Sequence, residues 1–173
     1  MIFVFTGNGK GKTTAAIGHG IRVVGQGKKV LLIQFIKNKK WPTGEEMALR
    51  EFAGRFEIIT GGKGFVGILG DRLPRSVHKK AAQDTLKKAS KLIFSKKFDL
   101  VILDEINVAL SLKLITIKDV LSILRLIPNN LDVILTGRGA PKELIRIADL
   151  VTEFREIKHY YGKGAIAKKG REY

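Results

Sequence analysis

The chain has 173 residues, of which 45% are hydrophobic, and this predicts one folded domain and excludes a disordered protein. It has no cysteine, which excludes a disulfide framework and a cysteine nucleophile, and no apolar run approaches the ~18 residues that span a bilayer. The net charge of +16 would attract nucleic acid, an anionic membrane or a polyanionic small molecule. We expect a cytoplasmic protein, because no basic region precedes the short apolar segment Ile2–Phe5.

Short apolar runs alternate with helix-length segments along the chain. The runs predicted as strands are Ile2–Phe5, Val30–Ile36, Phe56–Ile59, Leu100–Leu103, Val133–Thr136 and Leu150–Thr152. The predicted helices are Thr13–Val24, Arg72–Phe94, Ile117–Leu126 with Thr116 as its N-cap, and Lys142–Ala148. This alternation predicts βαβ units, and therefore a single α/β domain over residues 1–173 with a mostly parallel sheet flanked by helices.

A glycine-rich loop follows the first strand and opens the first helix. It reads Thr6-Gly7-Asn8-Gly9-Lys10-Gly11-Lys12-Thr13, followed by Thr14, and it departs from the phosphate-loop pattern only at Thr6, where a glycine is usual. Its backbone N–H groups and the helix N-terminus can bind phosphate, Lys12 supplies a cation, Lys10 adds a second contact, and the Thr13 hydroxyl can bind Mg²⁺. The alternative, a glycine-rich turn with chance lysines, does not explain the strand, loop and helix together. The sequence thus predicts a P-loop NTPase-like fold that binds a nucleoside triphosphate.

Residues 61–70 form a second glycine-rich segment, which carries Phe65, Val66, Ile68 and Leu69. We expect a mobile loop that closes on an apolar ligand, and the alternative is a loop packed on the core.

The segment from Arg72 to Lys97 holds nine Lys or Arg residues and one acid, Asp84. Its helix places Ala82, Leu86, Ala89 and Ile93 on one face, and Lys80, Lys87 and Lys91 on the opposite face. This pattern favours a solvated basic face. A nucleic-acid surface is the alternative, although no aromatic residues lie among these lysines.

Two further strands end in polar residues. Asp104 and Glu105 follow Leu100–Leu103, a strand that we expect next to that of the phosphate loop. Acids at this place hold Mg²⁺ directly or through water, although in ATP hydrolases the second acid often activates water. Arg138 follows the strand that ends at Thr136, and it should point into the same crevice as Lys12, because ligands bind beyond the carboxyl ends of parallel strands. The C-terminal segment from Tyr160 is predicted to be a mobile tail.

Taken together, these motifs resemble the P-loop type of corrinoid (cob(I)alamin) adenosyltransferase over nearly the whole chain. Beyond the phosphate loop, the matching segments are Gln34-Phe35-Ile36-Lys37, Trp41-Pro42-Thr43-Gly44-Glu45, Gly64-Phe65, Leu103-Asp104-Glu105-Ile106-Asn107, residues 136–141, residues 148–153 and Lys158-His159. In this family the threonine at position 6 is normal.

The resemblance implies that Co(I) of a corrinoid attacks the 5′ carbon of ATP and that triphosphate leaves. Lys12, Arg138 and the loop amides would stabilise the leaving group, while Thr13, Asp104 and Glu105 would serve Mg²⁺. Phe65 and its loop would cover the corrin face. A homodimer and a flavoprotein reductant are also implied, without nucleic acid or membrane as a partner.

The sequence departs from the family at three places. It begins at the first strand, where family members often carry a helical extension, Gly67 stands where a tryptophan is usual, and Val108 stands where a tyrosine is common. Two other functions stay open at this point: a nucleic-acid-associated ATPase, motivated by the charge and the acid pair, and an ATP-binding regulatory module without turnover.

Overall fold

A computed structural model of the chain describes residues 1–37, 44–68, 70–160, 168 and 170. Its strands are β1 Ile2–Thr6, β2 Val30–Gln34, β3 Phe56–Thr60, β4 Leu100–Asp104, β5 Asp132–Thr136 and β6 Leu150–Glu153. Its helices are α1 Lys12–Gly25, α2 Gly44–Leu49, α3 Arg75–Ile93, α4 Ile106–Ser111, α5 Ile117–Leu124 and α6 Lys142–Ile147, and a 3₁₀ turn spans Arg50–Phe52. The segment Trp41–Thr43, Leu69 and most of the expected mobile tail lie outside the described residues.

The strands form one six-stranded sheet in the order β3-β2-β4-β5-β1-β6, in which every pair is parallel. This confirms the predicted α/β class. We expected the acid pair to lie on a strand next to that of the phosphate loop. That expectation was wrong, because β5 lies between β1 and β4 and contributes its own residues to the site.

Both faces of the central strands are buried, as continuous apolar runs predict. Leu31 and Ile33 of β2 pack into the layer formed with α3, α4 and α5, while Val30 and Leu32 pack into the layer formed with α1. Complete burial of one such side chain typically stabilises a fold by about 1.5–3 kcal/mol. The sheet is therefore a rigid platform, and its carboxyl edge can hold side chains in fixed positions.

The observed helices differ from the predicted ones at their ends. Helix α3 begins at Arg75 rather than Arg72, because the extended Pro74 (ψ 142°) precedes it and proline restricts the residue before it. Thr116 caps α5 as predicted, since its hydroxyl accepts a hydrogen bond from the Asp119 N–H at 3.2 Å. Helices α2 and α4 were not predicted, because six residues are too few to show helical periodicity.

The basic helix has the faces that its sequence predicts. Ala82, Leu86, Ala89 and Ile93 are buried, whereas Lys80, Lys87 and Lys91 are exposed. Of the helices in the described ranges, none is both long and apolar enough to cross a membrane.

Candidate active site

The phosphate loop lies against the chain that leaves β6. The Gly9 N–H donates to the carbonyl of Phe154 at 2.6 Å, and the Phe154 N–H donates to the carbonyl of Thr6 at 2.8 Å. A Cβ on Gly9 would come within 2.7 Å of the Arg155 backbone, and one on Gly7 would overlap that of Phe154. Gly7 and Gly11 also have positive φ angles, of 96° and 109°. The loop therefore needs glycine for close backbone approach as well as for its turn.

Lys12 folds back over the loop that precedes it. Its ammonium donates to the carbonyls of Gly7 at 2.8 Å and Gly9 at 2.6 Å, and the residue is only 7% exposed. Burial lowers the pKa of Lys12, the nearby negative charge of Glu105 opposes that shift, and Arg138 adds to it. The structure thus places the predicted cation within the loop, held by the same backbone that would surround a phosphate.

Asp104 connects the loop to the middle of the sheet. Its Oδ1 accepts hydrogen bonds from the Thr13 hydroxyl and from the Thr136 hydroxyl, each at 2.7 Å. Its Oδ2 is buried and finds no hydrogen-bond partner among the described residues. An uncompensated buried carboxylate oxygen is costly. One oxygen of Asp104 is therefore fixed, and the other is available to a bound cation.

Glu105 lies beside Asp104 in a left-handed conformation, with φ 60°. Its N–H donates to the Thr136 hydroxyl at 3.0 Å, so one threonine orients both acidic residues. Burial raises the pKa of Glu105, and repulsion from Asp104 adds to this, while Lys12, Lys37 and Arg138 act in the opposite direction. Its ionised form thus depends on positive charge around the site.

The segment after β5 is held at three points, and Arg138 is exposed within it. The Gly137 N–H donates to the carbonyl of Phe5 at 3.2 Å, the Asn107 amide donates to the Gly137 carbonyl at 3.2 Å, and the Ala140 N–H donates to the Thr6 hydroxyl at 3.2 Å. A Cβ on Gly137 would lie 3.1 Å from Oε2 of Glu105. Arg138 therefore stands on a tightly packed backbone, close enough to Glu105 and Lys12 for its charge to act on both.

The remaining predicted residues lie at the edge of this centre. Asn8 in the loop and Thr14 in the first turn of α1 are exposed, and Lys10 donates to the Tyr160 hydroxyl at 3.0 Å. The Phe65 side chain is 57% exposed, while Val66 packs against the core. The residues 61–70 thus divide into a packed part and an exposed part, rather than forming one free loop.

Several side chains at the site were missed by the sequence reasoning. Thr136 and Asn107 were within matched motifs, but no role was given to either of them. Gln34 pairs in register with Asp104, and in the amide orientation that satisfies both of its ends it donates to Thr60 at 3.2 Å and accepts from Lys37 at 3.2 Å. Polar residues at the ends of otherwise apolar strands were the signal that could have identified Thr136 and Gln34.

Comparison with known proteins gives a consistent identification. A family model described as ATP:corrinoid adenosyltransferase BtuR/CobO/CobP matches residues 1–173. The corrinoid adenosyltransferase of Escherichia coli K12 is 36% identical over 173 residues, which cover 100% of this chain and 85% of that protein. Those of Pseudomonas aeruginosa and Salmonella typhimurium are 38% and 35% identical over the whole of this chain, covering 83% and 85% of their own lengths.

Among solved structures, a KaiC-like protein from Pyrococcus horikoshii OT3 superposes with a TM-score of 0.50 and 15% identity, covering 88% of this chain and 71% of that one. This likeness concerns the fold alone. The full-length family match, together with a phosphate loop joined to Asp104, identifies the chain as a member of the ATP:corrinoid adenosyltransferase family.

Proposed function

We propose that this protein transfers the 5′-deoxyadenosyl group of ATP to Co(I) of a corrinoid and releases triphosphate. The electron pair on Co(I) forms the bond to the 5′ carbon, and the pair of the breaking C–O bond leaves with the triphosphate. Cobalt is the nucleophile, so the site needs no protein base. The product would be an adenosylcorrinoid, formed in adenosylcobalamin biosynthesis or salvage.

The observation that best supports this proposal is the arrangement of the phosphate loop with the buried Asp104. The Thr13 hydroxyl donates to Oδ1 of Asp104, which leaves Oδ2 unpaired among the described side chains. Loop amides, the end of α1 and Lys12 supply positive charge where a triphosphate would lie. These groups stabilise a leaving group that gains negative charge.

Mg²⁺ fits this donor set. Magnesium is usually bound by one or two carboxylates together with substrate phosphates, rather than by a complete protein cage. Asp104 and Thr13 would hold the ion, with Glu105 beside them, and the ion would supply charge neutralisation for the phosphates.

Lys12 and Arg138 have different roles in this proposal. Lys12 is buried in the loop, so it would lie close to the triphosphate and stabilise the negative charge that the leaving group gains as the C–O bond breaks. Arg138 is exposed on a fixed backbone, so it can reach a charge that develops during the reaction. Preorganised cations of this kind lower the barrier because they need no rearrangement when the leaving group forms.

The corrinoid would lie against the exposed apolar side chains of residues 64–68. Phe65 is 57% exposed and Ile68 is 59% exposed, although both are large and hydrophobic. An apolar surface would exclude water from the reduced cobalt. Family membership further supports a homodimer, a flavoprotein that delivers the reducing electron, and a cytoplasmic location where ATP and reductant are available.

Product analysis under reducing conditions tests this function. Purified protein is incubated with ATP and Mg²⁺, with and without reduced cobalamin, and with DNA or RNA in a parallel set. We expect triphosphate only when Co(I) is present. ADP and phosphate released in a nucleic-acid-stimulated reaction would instead establish an ATPase, and tight binding without any product would establish a regulatory module.

A further inference from the structure

A buried hydrogen-bonded pair lies outside the phosphate site, at the junction between the apolar segment and α3. Nε2 of His78 is 2.9 Å from Oδ2 of Asp71, and their side chains are only 2% and 7% exposed. His78 lies in the first turn of α3, on the same face as the buried Ala82. The apolar stripe of α3 therefore continues with a buried histidine rather than with another hydrophobic residue.

Asp71 closes a turn as well as pairing with His78. Its Oδ2 also accepts from the Gly67 N–H at 2.8 Å, and its Oδ1 accepts from the Leu73 N–H at 3.0 Å. These two backbone hydrogen bonds are the main cause of a lowered pKa of Asp71, to which His78 contributes and which burial opposes. The carboxylate thus joins Gly67 to the start of α3.

The other end of this segment is held by β2 and the residues after it. The Gly61 N–H donates to the carbonyl of Gln34, and the Gly64 N–H donates to the carbonyl of Ile36, both at 2.9 Å. The chain from 64 to 68 is therefore fixed at both ends, while the side chains of Phe65 and Ile68 remain more than half exposed. A fixed backbone with exposed apolar side chains is typical of a preformed ligand surface rather than of a solvated loop.

We propose that Asp71 and His78 are positioning residues, which hold the surface formed by Phe65 and Ile68 in the orientation that receives the corrinoid. This inference rests on the proposed function, since it assigns that surface to the corrinoid. Neither residue touches substrate in this account. His78 fixes the carboxylate of Asp71, the carboxylate fixes the Gly67 amide, and the amide fixes the segment next to Phe65.

Three substitutions separate positioning from simple stability. His78→Leu fills the buried space but removes the donor to Asp71, and His78→Gln restores an N–H near the position of Nε2. Leu86→Ala is the matched control, because it removes buried volume from the same helix without touching the pair. Asp71→Asn weakens the same contact from the Asp71 side, and it replaces His78→Leu as the test variant if that protein does not fold.

The first readout is steady-state kinetics with ATP and reduced cobalamin. Loss of a hydrogen bond to a buried charge should raise the KM for the corrinoid on the order of tenfold in His78→Leu and Asp71→Asn, with the KM for ATP unchanged. His78→Gln should recover most of the loss, and Leu86→Ala should lower the melting temperature without raising the corrinoid KM. Equal rises in both KM values, or the same rise in Leu86→Ala, would overturn the inference.

The second readout does not depend on activity. Amide hydrogen exchange at Gly67, measured by NMR on the substrate-free protein, should be on the order of tenfold faster in His78→Leu and Asp71→Asn than in the wild type. Unchanged exchange at Gly67 would overturn the inference even if wild-type turnover is normal. A wild-type protein with no adenosyl transfer, but with the expected exchange pattern, would instead overturn the proposed function and the corrinoid assignment of the surface.

Discussion

Asp104 connects the phosphate loop to the end of β5 in the candidate site. It accepts hydrogen bonds from a threonine of the phosphate loop and from a threonine of β5, while its second oxygen is buried without a partner in the part of the chain that the structure describes. These two hydrogen bonds, at the end of a fully buried strand, hold the carboxylate next to the loop. The positions of Thr13, Thr136 and Glu105 therefore all depend on this one side chain.

We predict that Lys12→Ala lowers turnover by roughly 10²–10³ at saturating ATP, because it removes a preorganised cation from the leaving triphosphate. Turnover is measured by the formation of adenosylcobalamin, and circular dichroism verifies the fold. Lys118→Ala, which removes an exposed lysine of α5, is the matched control and should leave turnover unchanged. Near wild-type turnover in Lys12→Ala would refute the role of Lys12.

Glu105→Gln should change how stability depends on pH in the substrate-free protein. The pKa of Glu105 in the folded state is raised above its ordinary value of 4.5, so folding is favoured by the protonated form. That contribution is fully present below pH 4.5 and is lost as the pH rises through the raised pKa. The variant cannot titrate, so at pH 7 it should have the higher free energy of unfolding.

Urea unfolding of both proteins between pH 4 and pH 8 measures this difference, with Glu57→Gln on an exposed position of β3 as the control. Parallel pH profiles for wild type and Glu105→Gln would contradict the prediction. In activity assays the same variant should need more Mg²⁺ than the wild type, and excess Mg²⁺ should partly restore its turnover if Glu105 serves the metal.

At the level of single elements, α1 positions the loop because it packs tightly against its neighbours. Gly20 faces the ring of Phe56 from β3, and a Cβ on Gly20 would lie 2.7 Å from Cε2 of that ring. Gly18 lies two residues earlier in the same helix, and a Cβ added there would meet no atom within 4 Å outside its own helix. A larger side chain thus has room at Gly18 but not at Gly20.

We predict that Gly18→Ala stabilises the protein by about 0.5–1 kcal/mol, because alanine has the higher helix propensity. Gly20→Ala gains the same propensity but forces Phe56 to move, which typically costs about 1–3 kcal/mol in a packed core, so it should destabilise. Urea unfolding of the two variants gives both values. A Gly20→Ala variant as stable as Gly18→Ala would show that α1 does not pack closely on β3.

The strands and the long helices could be predicted from the sequence because their signals are local. Four residues of α3 at helical spacing are buried as expected, and the apolar runs became the strands of the sheet. The order of the strands is not a local property, and therefore the place of β5 between β1 and β4 was missed. The contact of Phe154 with the phosphate loop was missed for the same reason, since Phe154 and Gly9 are far apart in the sequence.

Gly67 shows a different limit of sequence reasoning. By resemblance, Gly67 stands where the family usually has a tryptophan. In the structure, Gly67 has a φ of 71°, and its N–H donates a hydrogen bond to Asp71. Any side chain at this position would be strained, because left-handed backbone costs other residues roughly 1–2 kcal/mol. The turn that Asp71 and His78 stabilise therefore determines that glycine occupies position 67.

Considered as a whole, the molecule is strongly basic, with a net charge of +16, and the α3 lysines contribute to this as an exposed row. Lys12 and Arg138, the cations proposed to act on the triphosphate, are separate from that row in the sequence. We predict that reversing Lys80, Lys87 and Lys91 to Glu leaves adenosyl transfer within about twofold, because exposed charges contribute little to the fold and these lysines are not in the site. Nucleic-acid binding measured across a salt series checks the alternative. Salt-resistant, sequence-selective binding would contradict a solvated face.

The central claim is that this phosphate loop supports alkyl transfer rather than phosphoryl transfer. A single-turnover reaction with ATP labelled with ¹³C at the 5′ carbon, excess enzyme and reduced cobalamin tests it directly. We predict that the ¹³C resonance of the 5′ carbon shifts to the position of a cobalt-bound carbon. The amount of this product should equal the amount of triphosphate released. A label that stays on ADP or AMP, with phosphate or pyrophosphate as the other product, would contradict the account.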